Sequence, residues 1–246
     1  MHGNPAALEA VLAEASDATL VFGGDMAAGP FPTETLDRII GLVEASKTAA
    51  RAPRARAIRG NADRELLGAP AGGLVDEWVV RQLDERHREF IAALPETLEL
   101  DVAGVGRVLF CHGSPRSDEE MILRTTPDDW LREMLGGVDA EVVVCGHTHM
   151  QFDRVVDGIR VVNAGSVGLP YGASGAHWLL LGPGIEHRRT PYDNETFADR
   201  VAATEWPLAA RFSEENIRRS PSEEEALEFF ERVASEQWAE RYPGRS

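Results

Sequence analysis

Gly146-His147-Thr148-His149 directly follows Glu141–Cys145, a run that is apolar from Val142 onward. A run of this length and composition predicts a short buried strand, so the glycine and its two histidines are expected at the strand's carboxyl end. Two imidazoles at i and i+2 beside a glycine can point to one side of a loop. Because open α/β sheets bind ligands at the carboxyl ends of their strands, this stretch predicts a ligand site.

Further polar blocks follow other predicted strands in the same way. The strands are expected at residues 19–23, 55–59 and 106–110, with helical patterns between several of them. The blocks after them are Gly24-Asp25, Gly60-Asn61-Ala62-Asp63 and His112-Gly113, while His2-Gly3-Asn4 opens the chain and Asn163 begins a glycine-rich block that ends at Gly168. Alternating strands and helices are typical of βαβ units and predict an α/β fold.

In their order and context, these blocks resemble the calcineurin-like metallophosphoesterase superfamily over residues 2–190. The resemblance implies a four-layer α/β/β/α sandwich of two mixed sheets. It also implies hydrolysis of a phosphodiester or a small phosphomonoester by a hydroxide that bridges two metal ions. His112-Gly-Ser-Pro115 and the 163–168 block are similar to a bacterial and archaeal subgroup described as phosphodiesterases or serine/threonine phosphatase-like proteins.

The resemblance assigns a complete ligand set to the second of two metal sites. Asp25 would bridge both ions, and the second ion would also bind Asn61, His112 and His147. Asn61 would in addition lie close enough to contact the phosphate, which makes it a candidate catalytic residue. Mixed imidazole and carboxylate ligands suit divalent transition metals, with manganese foremost and iron, zinc or nickel as alternatives.

The first metal site is expected to be incomplete. His2 and His149 would serve it, but the family's opening block is Asp-x-His-Gly-Asn and Met1 stands at the x position. We therefore expect an upstream in-frame segment that supplies an apolar strand ending in Asp. Without that segment, the chain is expected to bind about one metal ion tightly and to hydrolyse esters poorly.

A second departure from the family pattern concerns the leaving group. Many relatives carry His directly after the motif Asn, but Ala62 stands there and cannot transfer a proton. Slow turnover or a preference for activated esters is expected. Asp63 is a candidate catalytic residue, with capping of the loop as the alternative. Arg64 and Arg116 are candidates for binding phosphate oxygens, with surface ion pairing as the alternative.

Composition and charge narrow the choice of partners. The formal net charge of −16 at pH 7 argues against binding to duplex nucleic acid. The sequence has no secretory signal and no apolar stretch near the ~20 residues of a membrane span, so a cytoplasmic location is expected. The expected partner is a small phosphorylated substrate, and the oligomeric state is left open. Cys111 and Cys145 are expected to be small buried hydrophobic residues without a disulfide.

Two regions are expected along the chain: a metallophosphoesterase domain at residues 1–190 and a helical extension at 191–246 that packs on it. Ser222 and Glu225 form a capping box that opens a helix in the extension. Phe229, Phe230 and Val233 are predicted to lie on one side of that helix and to dock on the domain, with partner binding as the alternative.

A non-catalytic metal-binding scaffold on the same fold is the competing interpretation, since a fold does not guarantee a function. The missing Asp and Ala62 favour a scaffold. The complete second ligand set favours an enzyme, because binding alone gives no reason to retain all of these residues together. The sequence therefore predicts a metallophosphoesterase.

Overall fold

Nine short strands and the helices between them make up the parts of the chain that the computed structural model describes, which are residues 1–48, 55–68 and 73–243. The strands are β1 (Leu20–Phe22), β2 (Ala55–Ala57), β3 (Thr97–Val102), β4 (Gly106–Cys111), β5 (Val142–Cys145), β6 (Phe152–Val156), β7 (Ile159–Asn163), β8 (Ala176–Leu181) and β9 (Ile185–Thr190). The helices are α1 (Pro5–Glu14), α2 (Pro32–Thr48), α3 (Asn61–Glu65), α4 (Leu74–Gln82), α5 (Glu85–Ala92), α6 (Asp128–Met134), α7 (Asn194–Ala202), α8 (Ala209–Phe212) and α9 (Glu223–Arg241), with a π-helical turn at Ser213–Arg218.

A five-stranded mixed sheet in the order β3-β4-β5-β7-β6 forms the centre of the fold. β4, β5 and β7 run parallel, so their carboxyl ends meet at one edge, while β3 and β6 pair antiparallel at the two sides. The β6–β7 hairpin turns at Asp157-Gly158, where φ is 50° and 87°. Positive φ at both positions is what a tight two-residue hairpin turn requires.

The strands of this sheet are buried on both faces because successive side chains alternate across a strand. On one face, Phe110 and Val144 pack with residues of the smaller strand pairs, including Val21 and Leu179. On the other face, Leu109, Cys111, Val143 and Cys145 pack with helical residues such as Leu131 and Trp238, which lie on α6 and α9. One face of the sheet is thus covered by strands and the other by helices.

The opposing layer consists of two separate strand pairs in the described residues. β1 and β2 are parallel, whereas β8 and β9 form an antiparallel hairpin. Helix α1 packs against β8 and β9, and α2 packs against β2. These contacts confirm the predicted α/β/β/α layering, but the second sheet is split into a parallel and an antiparallel pair where the sequence predicts one mixed sheet.

Helix α9 docks on the domain along a stripe of every fourth residue. Ala226, Phe230, Ala234 and Trp238 are buried, and Trp238 stacks on Trp130 with ring centroids 4.6 Å apart. The Ser222–Glu225 capping box is present as predicted. The prediction for Phe229 is wrong: it is 51% exposed because the stripe follows i, i+4 spacing from Ala226.

The boundary between the two expected regions falls at the last residue of β9, Thr190. Helices α7 and α8 follow, and Phe197 on α7 packs with Ala6 and Phe31 from the first part of the chain. The division into a domain and an extension itself stays a prediction.

The sequence carries little signal for two of the short helices, α3 and α4. α3 covers five residues, which is too short for a periodic apolar pattern, and its Gly60 N-cap offers no side-chain signal. α4 begins directly after Gly73. The buried, free thiols of Cys111 and Cys145 match the expectation for both residues. No helix in the described ranges is long and apolar enough to cross a membrane.

Replacing Trp238 with alanine tests the docking of α9. Trp238→Ala is expected to lower the free energy of unfolding by about 3–5 kcal/mol, because it removes a buried indole and its stack on Trp130. Phe229→Ala, on the exposed side of the same helix, is the matched control and is expected to change stability by less than about 0.5 kcal/mol. The measurement is urea denaturation; equal losses in both variants would contradict docking through the Trp238 side.

Candidate metal centre

The predicted ligand residues reach one place because each follows a strand or begins the helix after it. His112 and His147 come directly or almost directly after β4 and β5, and Asp25 lies three residues beyond β1. Asn61 is the first residue of α3, after β2. This arrangement puts a carboxylate, an amide and imidazoles at the carboxyl edge of the parallel strands, where α/β folds place their ligands.

Three of the four residues predicted for the second metal site lie together: Asp25, His112 and His147. The ligand atoms of Asp25, His112 and His147 lie within 4.8 Å of one another, and Asp25 Oδ2 is 3.2 Å from His112 Nε2. His112 Nδ1 lies 2.8 Å from the carbonyl oxygen of Gly23 and donates its proton there. Since the Nδ1 proton goes to a carbonyl, the Nε2 lone pair of His112 is available to a metal ion.

Asp25 also belongs to the cluster predicted as the first metal site. Its carboxylate groups with His2 and His149, again within 4.8 Å. His2 Nε2 lies 2.8 Å from His149 Nε2 and 3.7 Å from Asp25 Oδ2. One oxygen, Asp25 Oδ2, therefore faces both clusters, as a bridging carboxylate must. The other oxygen, Oδ1, accepts a hydrogen bond from the backbone N–H of Ala62 at 3.0 Å.

Burial keeps most of the histidines neutral. Burial and then the nearby amino terminus lower the pKa of His2 to about 3, and burial followed by His112 lowers the pKa of His147 to about 4. Burial also lowers the pKa of His149. A neutral imidazole has a free lone pair, which is the form that binds metal.

Several buried polar atoms at the site have no hydrogen-bond partner, which indicates that they bind a metal ion or another ligand. Four of them belong to predicted ligands: Asn61 Oδ1, His112 Nε2, His147 Nε2 and His149 Nδ1. Leaving such atoms unsatisfied costs about 1–3 kcal/mol each, so buried polar groups normally find partners. A divalent ion beside Asp25 would satisfy the nitrogens of His112 and His147, and the residues present fit such an ion.

Backbone strain is concentrated at the same residues. Of the five non-glycine residues with positive φ among those described, four are predicted metal ligands. They are His2, Asp25, His147 and His149, with φ between 51° and 62°. This conformation costs on the order of 1–3 kcal/mol per residue and persists at functional sites, where the surroundings enforce it. The backbone therefore supports a functional role for these positions.

Gly60 permits the close approach that holds Asp25 in place. A Cβ atom at this position would lie 2.2 Å from Asp25 Oδ1 and 2.6 Å from its backbone nitrogen. No side chain fits there without moving the Asp25 carboxylate. The glycine before Asn61 is thus required by packing against Asp25.

Asp63 is fully buried and bonds to backbone groups. Its Oδ1 accepts from the N–H of Met26 at 2.8 Å, and its Oδ2 accepts from the N–H of Gly60 at 3.2 Å. Burial and then the Asp25 carboxylate raise the pKa of Asp63 to about 6. These contacts fit the alternative in which Asp63 caps and joins the two ligand loops; its catalytic role stays a prediction.

Both predicted substrate-binding arginines are engaged by carboxylates. Arg64 Nε donates to Asp118 at 2.7 Å, and a further nitrogen of Arg64 donates to Glu119 at 2.6 Å. Arg116 donates to Glu120 at 2.7 Å and to the carbonyl oxygen of Glu133 at 2.9 Å. The contacts fit the ion-pairing alternative, so phosphate binding by either arginine stays a prediction without structural support.

Two further residues shape the site and are not among the predicted ones. Asn163 Nδ2 donates to the carbonyl oxygen of Gly146 at 2.7 Å and to Thr148 Oγ1 at 3.0 Å, which holds the turn that presents His147. Tyr171 stacks on His149 with centroids 5.8 Å apart. Asn163 begins the glycine-rich block and Tyr171 follows it, so their place next to this block is the sequence feature that could have identified them as site residues.

Loss of His147 is expected to weaken metal binding. Replacing a residue that only hydrogen-bonds to a metal ligand typically lowers metal affinity about 10–100-fold. His147→Ala removes a predicted ligand itself, so it is expected to raise the Kd for Mn²⁺ by at least about 100-fold. His187→Ala, an exposed histidine, is the control and should leave the Kd unchanged. Isothermal titration of the metal-stripped chain measures both constants. An unchanged Kd in His147→Ala would remove this residue from the ligand set.

Two solved structures resemble this chain at low sequence identity. A hypothetical protein from Pyrococcus horikoshii OT3 is 21% identical with a TM-score of 0.71, over 86% of this chain and 93% of that one. A metallophosphoesterase from Sphaerobacter thermophilus is 22% identical with a TM-score of 0.66, over 86% of this chain and 95% of that one. Identities this low show a shared fold. No curated protein matches the chain.

A protein-family model also matches the chain. Residues 1–182 match the calcineurin-like phosphoesterase superfamily domain, which is well over half of the 246 residues. The match spans every predicted ligand, from His2 to His149. The chain belongs to the calcineurin-like phosphoesterase superfamily, whose members are metal-dependent phosphoester hydrolases.

Proposed function

We propose that this chain hydrolyses a phosphodiester or a small phosphomonoester at a dinuclear centre, with manganese as the foremost candidate metal. The observation that carries the proposal is the convergence of His112 and His147, each with an unsatisfied buried ring nitrogen, on the carboxylate of Asp25. Two divalent ions, when bound, supply an activated water nucleophile and neutralise the charge of the phosphate.

The protein's own groups fix where the substrate can react. Asp25 Oδ2 faces both clusters, so it would contribute to holding an ion in each of them. Asn61 Oδ1 has no partner, while its Nδ2 lies 3.4 Å from Glu65 Oε1, at the limit for a hydrogen bond. Asn61 is thus poised to bind an ion through oxygen and to turn its amide N–H groups toward a phosphate oxygen.

Proton transfer to the leaving group is the weak point of the site. Ala62 offers only its backbone N–H, which is bound to Asp25 Oδ1. Asp63 is occupied by backbone donors. We therefore propose that the substrate is an ester with a good leaving group, such as a phenol or an acidic alcohol, because the departure of such a group needs no general acid.

The expected partner and location belong to the same proposal. A small phosphorylated metabolite fits a site whose nearby arginine, Arg64, is already paired with Asp118 and Glu119, since little positive charge remains for a polyanion. The net charge of −16 also disfavours duplex nucleic acid. The cytoplasmic location expected from the sequence stays a proposal.

The competing function is a non-catalytic metal-binding scaffold. The first cluster favours it, because His2, Asp25 and His149 are present there without the Asp of the family's opening block.

Hydrolysis of a chromogenic aryl phosphodiester in Mn²⁺ distinguishes the two functions. We expect activity that disappears in His147→Ala and persists in His187→Ala. Metal binding without turnover, both in this chain and in a form with an apolar strand and Asp joined before Met1, would favour the scaffold.

Restoring an imidazole after Asn61 tests the account of the leaving group. Ala62→His is expected to raise kcat on an alkyl phosphodiester by at least about tenfold and to change kcat on a nitrophenyl ester little, because a general acid matters most for a poor leaving group. Ala62→Phe serves as the control for side-chain size. Equal gains on both esters would show that proton transfer does not limit the reaction.

A further inference from the structure

Helix α9 lies outside residues 1–182, which match the superfamily domain, and yet it contacts two loops beside predicted metal ligands. Residues near its carboxyl end bond to the loop that follows His112. A residue in its first half packs on Tyr171. The first loop contacts His147 and the second contacts His149. The helix therefore reaches both histidines of the Gly146–His149 turn, in each case through one intervening segment.

A buried carboxylate, Glu120, holds together the loop that follows His112. Glu120 accepts hydrogen bonds from Ser114 Oγ at 2.6 Å and from Arg116 Nη2 at 2.7 Å, and both donors belong to the same loop. A further donor comes from α9, where Arg241 Nη1 lies 2.9 Å from Glu120 Oε1. A buried charge is stable only when it is paired, so the loop depends on the arginine of the helix as well as on its own.

The residue before this carboxylate meets the first histidine of the turn. The ring of His147 hydrogen-bonds with the backbone of Glu119. The carbonyl oxygen of Glu119 accepts a hydrogen bond from Gln237 Nε2 of α9 at 3.2 Å. The helix thus holds the loop at two successive residues. Partners that bond to a metal-binding imidazole fix the orientation of its ring, so the placement of this loop affects how His147 presents its free nitrogen.

The second histidine of the turn is in contact with an aromatic ring that α9 supports. Tyr171 stacks on His149 with the ring planes 26° apart. Phe230 of α9 meets Tyr171 edge to face, with centroids 5.8 Å apart. Phe230 also belongs to the same buried cluster as Met150, the residue directly after His149. The helix therefore supports His149 through Tyr171 and through its neighbour in the chain.

The turn between the two contacts needs such support. His147 and His149 have left-handed φ values of 62° and 61°. Thr148, between them, donates from Oγ1 to the carbonyl oxygen of Ile122 at 3.3 Å, which ties the turn to the segment after Glu120. A strained backbone persists only where the surrounding structure enforces its conformation. The contacts of α9 supply part of that enforcement from residues distant in the sequence.

We propose that α9 is a positioning element of the metal centre, which sets the ring orientations of His147 and His149. Its carboxyl end acts on His147 through Glu119 and Glu120. Its first half acts on His149 through the ring of Tyr171. No residue of α9 is itself a predicted metal ligand, and the inference rests on the proposed function in that both histidines are taken to bind metal.

Replacing Arg241 tests the action on His147. Arg241 is the last residue of α9, so its replacement leaves the buried stripe of the helix intact. Arg241→Ala is expected to raise the Kd for Mn²⁺ about 3–10-fold, because it acts on the ligand through an intervening loop. Arg241→Lys keeps a cation beside Glu120 and is expected to restore most of the affinity. Arg232→Ala, the same change at an exposed position of α9, is the control and should leave the Kd unchanged.

Isothermal titration measures these constants under conditions where urea denaturation shows every variant to be fully folded, so that a loss of stability alone does not change the Kd. The same Kd in Arg241→Ala and in the unsubstituted chain would overturn the inference and leave the proposed function intact. A weaker affinity that Arg241→Lys does not restore would contradict the role of the ion pair. Absence of Mn²⁺ binding in the unsubstituted chain would overturn both the proposed function and this inference.

A measurement without metal tests the action on His149. Stacking on an aromatic ring shifts the NMR signals of the His149 ring protons, so these signals report whether Tyr171 is in place. Phe230→Leu removes the ring that contacts Tyr171 and is expected to move the His149 signals toward those of Tyr171→Leu. Phe229→Leu, the same change at the exposed neighbour, should leave them unchanged. Unchanged His149 signals in Phe230→Leu would overturn the role of α9 at this histidine, whatever the affinity of the chain for metal.

Discussion

The carboxylate of Asp25 is the group on which the rest of the site depends. One oxygen faces His2 and His112 from the two clusters, and the other is fixed by the backbone N–H of Ala62. The backbone carbonyl of the same residue binds the N–H of His2 at 2.7 Å. The loops after β1 and β2 and the start of the chain are therefore positioned through one residue, which itself holds a left-handed φ of 51°.

The fold keeps four predicted ligand residues in strained, left-handed backbone conformations. Four ligands in left-handed conformations store on the order of 4–12 kcal/mol together, which is comparable to the whole stability of a typical domain. Asp63 joins two of the ligand loops, and Asn163 holds the turn that carries His147 and His149. A rigid sandwich with strands buried on both faces is what allows such strain to persist. Bound metal would return part of this energy by satisfying the buried nitrogen and oxygen atoms.

The sequence predicts the layering and the grouping of the ligands well, because strand ends meet at one edge and polar blocks at those ends are easy to recognise. Side-chain pairing is harder to predict from the sequence. Arg64 pairs with Asp118 and Glu119, which lie 54 and 55 residues further along the chain. Phe229 and Phe230 are adjacent and both look like candidates for burial, but only Phe230 belongs to the apolar stripe with Ala226, Ala234 and Trp238 that α9 turns inward. The split of the second sheet arises because β1 and β8, which are far apart in sequence, do not pair with each other in the described residues, and no local pattern reports this.

Anomalous diffraction at the manganese edge, from crystals grown with Mn²⁺, tests the central claim most directly. The account predicts a peak within about 2.0–2.3 Å of Asp25 Oδ2, His112 Nε2 and His147 Nε2, with any second peak beside His2 and His149 on the other side of the same carboxylate. Manganese bound elsewhere, or bound near the histidines without Asp25, would contradict a centre organised by one shared carboxylate.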